Sequence, residues 1–365
     1  MTELDEPYAK IEELFLKYRK SAPIRKSKFA GAREEERYFD GAVRKELLIL
    51  LATRGCRWYL DSGGCFMCSF NVGEPFIEYT DSEIISQVNE ITKDYDLRNY
   101  DAVLIFPYSS LDTLEMPEKV REYIYSLLNK HENVKYVVFQ SRPEFVTEKI
   151  LLEIKEKLPT KKCYVYIGIE SSDEFVRKYC VHKGLSFGEV KEKISLLKKF
   201  GMHVGAFLLF KPPFLTEKEA IDDTIKSIRD CFKIVVEDIH FMCNMIGEYS
   251  MTEILYKMKK YRSPWLWSVI EVLKNFNKEE LKRITVSGFH IRANILDEPH
   301  NCNVCNDKVR KSIEVFNKIK DISVFDNLDC DCKKEWKKEV SKKYPPLRER
   351  IISDYKELIE KMEIL

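Results

Sequence analysis

The sequence predicts an α/β fold, a partial (β/α)6 barrel with an N-terminal helical cap and a small C-terminal cysteine-rich, metal-binding helical extension. Three observations predict it. Strand-like and helix-like apolar patterns alternate through the middle of the chain, an amphipathic helix precedes them, and four closely spaced cysteines follow in a segment too short to build its own core. The corresponding divisions are 1–40 for the N-terminal helical segment, 41–290 for the barrel and 291–365 for the extension.

Tyr8 to Arg19 places Tyr8, Ile11, Leu14, Phe15 and Tyr18 on one helical face, as a cap on the barrel would. The basic stretch that overlaps it (Lys17, Arg19, Lys20, Arg25, Lys26 and Lys28) reads as a solvated face, with phosphate binding as its functional alternative. Strands are expected over Leu47 to Thr53, Ala102 to Phe106, Val134 to Gln140, Tyr164 to Glu170, Val204 to Phe210 and Val235 to Met242. Between them, apolar residues three or four apart predict helices over Ser82 to Asp94, Glu118 to Asn129, Val146 to Leu158, Phe187 to Phe200 and Glu217 to Phe232. Such units form a parallel sheet with right-handed crossovers, and an open barrel is its natural closure. Its chemistry then belongs at the C-terminal ends of the strands.

The first of those ends carries Cys56, Cys65 and Cys68, spaced C-x8-C-x2-C and with no histidine nearby. Soft thiolates select zinc, Cu(I) or iron-sulfur clusters, and a closed zinc site needs a fourth ligand that is not close by. A 4Fe-4S cluster held by three cysteines keeps one iron open for chemistry. The bland alternatives are buried inert thiols, or a zinc site completed from a distance.

Composition fits a soluble enzyme of the cytoplasm. The 365 residues leave room for one large domain with appendages or for two domains, and 44% hydrophobic content allows a sizeable core. No signal peptide opens the chain, and its apolar runs fall far below the roughly 20 residues of a membrane helix, so no membrane association is expected. Eleven cysteines point to metal ligands and free thiols rather than a secreted disulfide framework. With a net charge of +1, any nucleic-acid surface must be local.

Three cysteines after the first strand of such a chain resemble the radical S-adenosylmethionine enzymes. The usual spacing there is C-x3-C-x2-C, and the wider loop found here is closer to the Elongator-like branch. The resemblance implies that the open iron chelates the amino and carboxylate groups of S-adenosylmethionine, which one electron cleaves to a 5'-deoxyadenosyl radical. Where the family usually has an aromatic before the last cysteine, this chain has Met67, apolar and polarizable enough to lie beside adenine. Position within the family suggests that Ser109 and Ser110 lie near the cofactor's amino group and that Glu170 meets its ribose. Arg177 would hold the methionyl carboxylate through a bidentate contact. Each has a structural alternative: Glu170 as a helix cap, or Arg177 paired with Asp173 or Glu174 on its own helix.

Near the C-terminus, Cys302-x2-Cys305 and Cys330-x-Cys332 supply four thiolates around a helix expected over Asp307 to Ile319. This set closes a tetrahedral zinc site with nothing left for substrate, which favours zinc over a second iron-sulfur cluster. Lys333, Lys334, Lys337, Lys338, Lys342 and Lys343 follow as a basic helix suited to phosphates, or simply as a soluble face.

Joined in order, Cys56-Arg57-Trp58, Gly63-Gly64-Cys65-Phe66-Met67-Cys68, Ser141-Arg142-Pro143-Glu144-Phe145, Lys211-Pro212-Pro213-Phe214-Leu215, Pro264-Trp265-Leu266-Trp267-Ser268 and Pro299-His300-Asn301-Cys302 resemble one family. It is the radical S-adenosylmethionine subunit of archaeosine synthase. The resemblance implies a lyase acting on tRNA after a partner subunit has attached lysine to a 7-cyano-7-deazaguanine in the D-arm. The radical enzyme cleaves the lysyl C–N bond to leave archaeosine, and it needs an electron donor. Lys211 would meet a phosphate or the lysyl carboxylate. Asn244 to Ser250 and the Phe106-Pro107-Tyr108 approach depart from the family pattern, which keeps other readings open. One is a radical enzyme acting on another tRNA base or a small molecule. The other is a noncatalytic, metal-folded RNA-binding module.

Overall fold

Each expected βα unit is present in the computed structural model, which describes residues 3–24, 30–73, 77–289 and 294–363. Helix α1 (Asp5–Lys20) leads into a hairpin of β1 (Gly31–Phe39) and β2 (Ala42–Leu50). After α2 (Arg57–Ser62) and α3 (Asp81–Asp94), strands and helices alternate as β3 (Ala102–Phe106), α4 (Glu118–Asn129), β4 (Tyr136–Ser141), α5 (Glu148–Lys157) and β5 (Lys162–Glu170). The series continues with α6 (Phe187–Lys199), β6 (His203–Phe210), α7 (Glu217–Lys233) and β7 (Asp238–Cys243). Helices α3, α6 and α7 begin where Thr80, Ser186 and Thr216 form reciprocal capping boxes with Glu83, Glu189 and Glu219.

Beyond β7 lie β8 (Ile246–Gly247), α8 (Met251–Lys257), α9 (Leu266–Leu273), α10 (Lys278–Leu281), β9 (Ile284–Ser287) and β10 (Ile295–Asp297). The main sheet is an eight-stranded half-barrel in the order β1-β2-β3-β4-β5-β6-β7-β9. All of its neighbours pair parallel except β1 and β2. β8 and β10 pair separately.

Two strands of the main sheet extend the six-unit expectation. β1 falls inside the segment read as helical, because Gly-Ala-Arg-Glu-Glu-Glu-Arg-Tyr-Phe lacks the apolar alternation of a half-buried strand; it is an edge strand. β9 is only four residues long.

The hairpin closes the floor of the barrel. Arg37 forms a buried ion pair with Glu46 at 2.9 Å, and the Asp40 carboxylate accepts from the Tyr136 and Tyr164 hydroxyls, each at 3.2 Å. Lys320, just past α11 (Asn306–Ile319), reaches the same end and donates to the Ile284 carbonyl at 2.8 Å. With the N-terminal ends of the strands filled, access to the interior belongs to the opposite end.

After α11 come α12 (Lys333–Ser341) and α13 (Leu347–Met362). α13 packs beside α1: the rings of Tyr8 and Tyr355 stack at 6.4 Å, and Lys10 faces Glu363 at 3.8 Å. Among the described residues no helix is long and apolar enough to cross a membrane.

Candidate active site

The loop that leaves β2 is built around the short helix α2, which accounts for the wide first spacing. Cys56 stands at its N-terminal end, and Gly63 (φ +81°) and Gly64 (φ +76°) turn the chain out of it in the left-handed region. A Cβ on Gly64 would lie 3.0 Å from the Arg19 guanidinium and 3.2 Å from the Tyr59 backbone, so glycine is required on two counts. Cys65 is buried, while Cys56 and Cys68 are half-buried. Between the last two cysteines, Phe66 points into the core, stacked on His182 at 5.0 Å and edge-on to Phe15 at 5.1 Å. Met67 beside it is half-buried.

The loop is gripped by residues distant in sequence. Phe66 N–H donates to the Val181 carbonyl at 2.9 Å, Met251 N–H to the Phe66 carbonyl at 2.8 Å, and the Trp58 indole to the His182 carbonyl at 2.9 Å. Arg142, at the end of β4, lies 5.0 Å over the Trp58 ring, donates to the Lys183 carbonyl at 2.8 Å and places Nη1 3.9 Å from the Cys65 sulfur. Arg19 reaches in from α1. Arg57 pairs with the buried Asp112. Burial pushes the Cys56 thiol up to about 12, with the Arg142 cation pulling the other way. Without a metal, then, Cys56 is a neutral thiol at pH 7.

The strand-end residues divide. Glu170, held at φ +67°, pairs with Lys183 at 2.9 Å through Oε1, and its buried Oε2 has no hydrogen-bond partner among the described residues. Ser109 and Ser110 are buried with their hydroxyls engaged, Ser109 with the Ser141 hydroxyl at 2.8 Å and Ser110 with the Ile105 carbonyl at 2.7 Å. Arg177 is buried as well: its guanidinium donates to the carbonyls of Ile169, Ser171 and Leu185, which binds the end of β5 to the turn after it. Lys211 is not an open cation. It is sealed against Glu217 at 2.8 Å and the Arg262 carbonyl at 3.0 Å, and the carboxylate offsets the cost of burying its charge.

In the basic N-terminal group Lys17 and Lys20 are exposed, as on the solvated face expected, and Arg19 departs from it. Arg19 is buried and Lys17 pairs with Glu13, while Arg25, Lys26 and Lys28 lie outside the described residues. Sequence reasoning gave no role to Arg142, His182 or Lys183. The one local signal was Gly184 directly after His182 and Lys183, marking a turn under tight packing.

The second cysteine set lies against α9. The sulfurs of Cys302, Cys305, Cys330 and Cys332 all lie within 4.8 Å of one another, and three of the pairs are 3.6 Å apart. They could hold one metal ion. The Trp267 indole donates to the Cys332 sulfur at 3.2 Å, and the Trp336 indole ties α12 to the Ser268 hydroxyl at 2.8 Å. Although burial opposes it, N–H groups of Cys305 and Val304 bring the Cys302 thiol down to about 7.

A parallel half-barrel whose first parallel strand runs into a three-cysteine loop defines the radical S-adenosylmethionine class of enzymes, and the family model for the Radical SAM superfamily matches residues 50–228. The chain is 34% identical to an uncharacterized protein of Methanocaldococcus jannaschii over 90% of each chain. It is 31% identical to the archaeosine synthase subunit beta of Thermococcus kodakarensis, covering 80% of this chain and 90% of that one. With the same-named subunit of Methanosarcina acetivorans it shares 29% identity, over 82% of this chain and 86% of that one. The chain belongs to the archaeosine synthase subunit beta family.

Proposed function

We propose that this chain is a tRNA-modifying lyase that cleaves the lysyl C–N bond of a lysine-adducted 7-deazaguanine to form archaeosine. The observation that carries the reading is the loop of Cys56, Cys65 and Cys68 at the end of β2, in a chain whose relatives are archaeosine synthase beta subunits. The name of those relatives supports a partner subunit, here the one that attaches lysine; an electron donor is needed as well.

The residues present fit a 4Fe-4S cluster and S-adenosylmethionine. Three thiols, none in a disulfide among the described residues, lie near the cationic groups of Arg19 and Arg142, and the Glu170 Oε2, without a partner among the described residues, is an acceptor of the kind a ribose hydroxyl needs. When bound, the two groups supply a carbon radical able to abstract hydrogen from a carbon that no side-chain base could deprotonate. Cys56, Cys65 and Cys68 would hold the metal and Met67 would offer an apolar surface to the adenine, while Lys183 fixes Glu170. Arg177, with its donors committed to carbonyls, acts as a positioning residue for the end of β5 rather than as the carboxylate clamp. Ser109 and Ser110 likewise bind β3 to β4 rather than offering free hydroxyls.

The C-terminal cysteines fit zinc. Four sulfurs around one ion at the usual ~2.3 Å bond length stand ~3.8 Å apart, close to the 3.6 Å found here. A cubane spreads its thiolates over separate irons and separates them further. The knuckle so formed presents α12, where Lys334, Lys337 and Lys338 lie exposed on one face and Lys342, Lys343 and Tyr344 continue the surface. That face suits the phosphates of tRNA.

The test is anaerobic incubation of reconstituted protein with tRNA bearing the lysine adduct, S-adenosylmethionine and dithionite. Archaeosine and 5'-deoxyadenosine should appear together in the nucleoside mass spectrum. If 5'-deoxyadenosine forms while the adduct persists, the enzyme acts on another substrate; if neither product forms, the protein is a binding module.

A further inference from the structure

Arg19 is a buried cation without a carboxylate. It stands in the last turn of α1 at 1% exposure, its guanidinium 4.3 Å from the centre of the Phe15 ring. Nη1 donates to the Gly63 carbonyl, Nη2 to the carbonyls of Cys65 at 2.9 Å and Cys68, and Nε to that of Tyr249 at 3.3 Å. Among the described residues no acid side chain is bonded to it. Several deeply buried cations here have one: Arg37 has Glu46, Arg121 has Glu153, Lys183 has Glu170 and Lys211 has Glu217. Arg177 and Lys320 bond only carbonyl and hydroxyl oxygens, but carboxylates still act on their charge, Glu174 and Glu170 on the first and Asp238 on the second.

Carbonyl oxygens satisfy the N–H groups of a guanidinium but leave its charge uncompensated, and an isolated buried charge is costly enough that proteins pair it. The ionisable groups that bear most on Arg19 are Cys68, Tyr59, Cys65 and Cys56. Three of those are the proposed cluster ligands. As thiols they are neutral and leave the cation alone; as metal-bound thiolates they carry the missing negative charge.

We propose that Arg19 is the counter-cation of the cluster thiolates and a positioning residue for their loop, so that α1 is coupled to cluster loading. This rests on the cluster reading above. The guanidinium does two jobs at once: its fork fixes the carbonyls on either side of Cys65, and its charge offsets that of the ligands. Since it stabilises the more negative state, it raises the reduction potential of whatever those thiolates hold.

The experiment is a cycle on the full chain, comparing wild type, Arg19→Met and Arg19→Lys, each reconstituted with iron and sulfide and each cluster-free. Thermal unfolding, iron release to a chelator and cluster potential are measured. Arg19→Met should lose clearly more stability in the loaded form than in the cluster-free form, where an apolar side chain replaces an uncompensated charge. Its iron should leave about tenfold faster, the scale of one charged hydrogen-bond contact, and its potential should move negative. Arg19→Lys keeps the charge but not the fork, so it should hold the potential near wild type while still releasing iron faster. Equal stability losses in both forms with an unmoved potential would make Arg19 an ordinary structural residue and overturn the proposal. A wild type that binds no iron would overturn the cluster reading itself.

Discussion

Trp58 occupies the space that any side chain on residue 184 would need. A Cβ on Gly184 would lie 2.6 Å from Cζ2 of the indole, and the backbone there is left-handed at φ +77°. The turn from Val181 to Gly184 is therefore a seat for the cysteine loop. It receives the Trp58 indole N–H on the His182 carbonyl and the Phe66 ring on the imidazole. Gly184→Ala should cost about 2 to 4 kcal/mol from overpacking and backbone strain. Denaturant midpoints should show the loss, and iron content after reconstitution should drop with it.

Replacing Cys65 by Ala should abolish iron binding at the barrel mouth and all 5'-deoxyadenosine formation. The C-terminal metal should stay in place, because its ligands lie in a separate group. Metal analysis and a single-turnover assay on one preparation check both halves. Full cleavage activity in the variant would rule out the role given to the three-cysteine loop.

Metal analysis of protein lacking Cys56, Cys65 and Cys68 should find zinc and no iron. In that background Cys332→Ser should release the zinc and destabilise the knuckle by more than about 4 kcal/mol, the range that follows loss of a structural metal. The fluorescence of Trp267 and Trp336, which lie against the Cys332 sulfur and Ser268, should report the change.

Neutralising Lys337, Lys338, Lys342 and Lys343 together should weaken tRNA binding across sequences and flatten its salt dependence, by about one unit of log–log slope for each phosphate no longer neutralised. Cofactor cleavage without tRNA should be unchanged. An unaltered affinity and slope would show that the lysines only keep α12 soluble.

Asp223 is half-buried behind the end of β5, accepting from the Ser171 hydroxyl at 2.7 Å, while its other oxygen is buried and lacks a partner among the described residues. Burial lifts its carboxyl to about 7. The folded form then holds a proton that the unfolded chain has released, so stability falls as pH rises from about 4 to about 7. Asp223→Asn should remove that part of the pH dependence and be at least as stable as wild type at pH 7.5, as paired unfolding curves at pH 5 and 7.5 would show.

What the sequence made legible was local. β3 and α4 appear over the expected residues, since an unbroken apolar run and a clean three-to-four spacing depend only on neighbours. The C-terminal cysteine set was likewise readable from spacing, and its four sulfurs come together. The hairpin was missed although Asp40-Gly41, with φ of +48° and +79°, is the turn signal for one; the charged β1 hid it. The cradle of the cysteine loop was beyond reach for a different reason. Arg19, Arg142, His182 and Tyr249 are scattered along the chain, and a buried arginine in an amphipathic helix has the same letters around it as an exposed one. Lys211 misled in the same way: its partner Glu217 lies a turn and a cap away.

The pairing of α1 with α13 sets a timetable for synthesis. Arg19 is translated well before Tyr355, yet the helix that carries it rests on that tyrosine, whose hydroxyl also supports the Tyr179 carbonyl beneath the cysteine loop. At the usual pace of a ribosome the interval between those two residues is roughly 20 to 70 seconds. Through that interval the nascent loop has its cysteines but lacks its completed support. A cluster held there would therefore have to wait until α13 has folded against α1, with the thiols kept reduced until then.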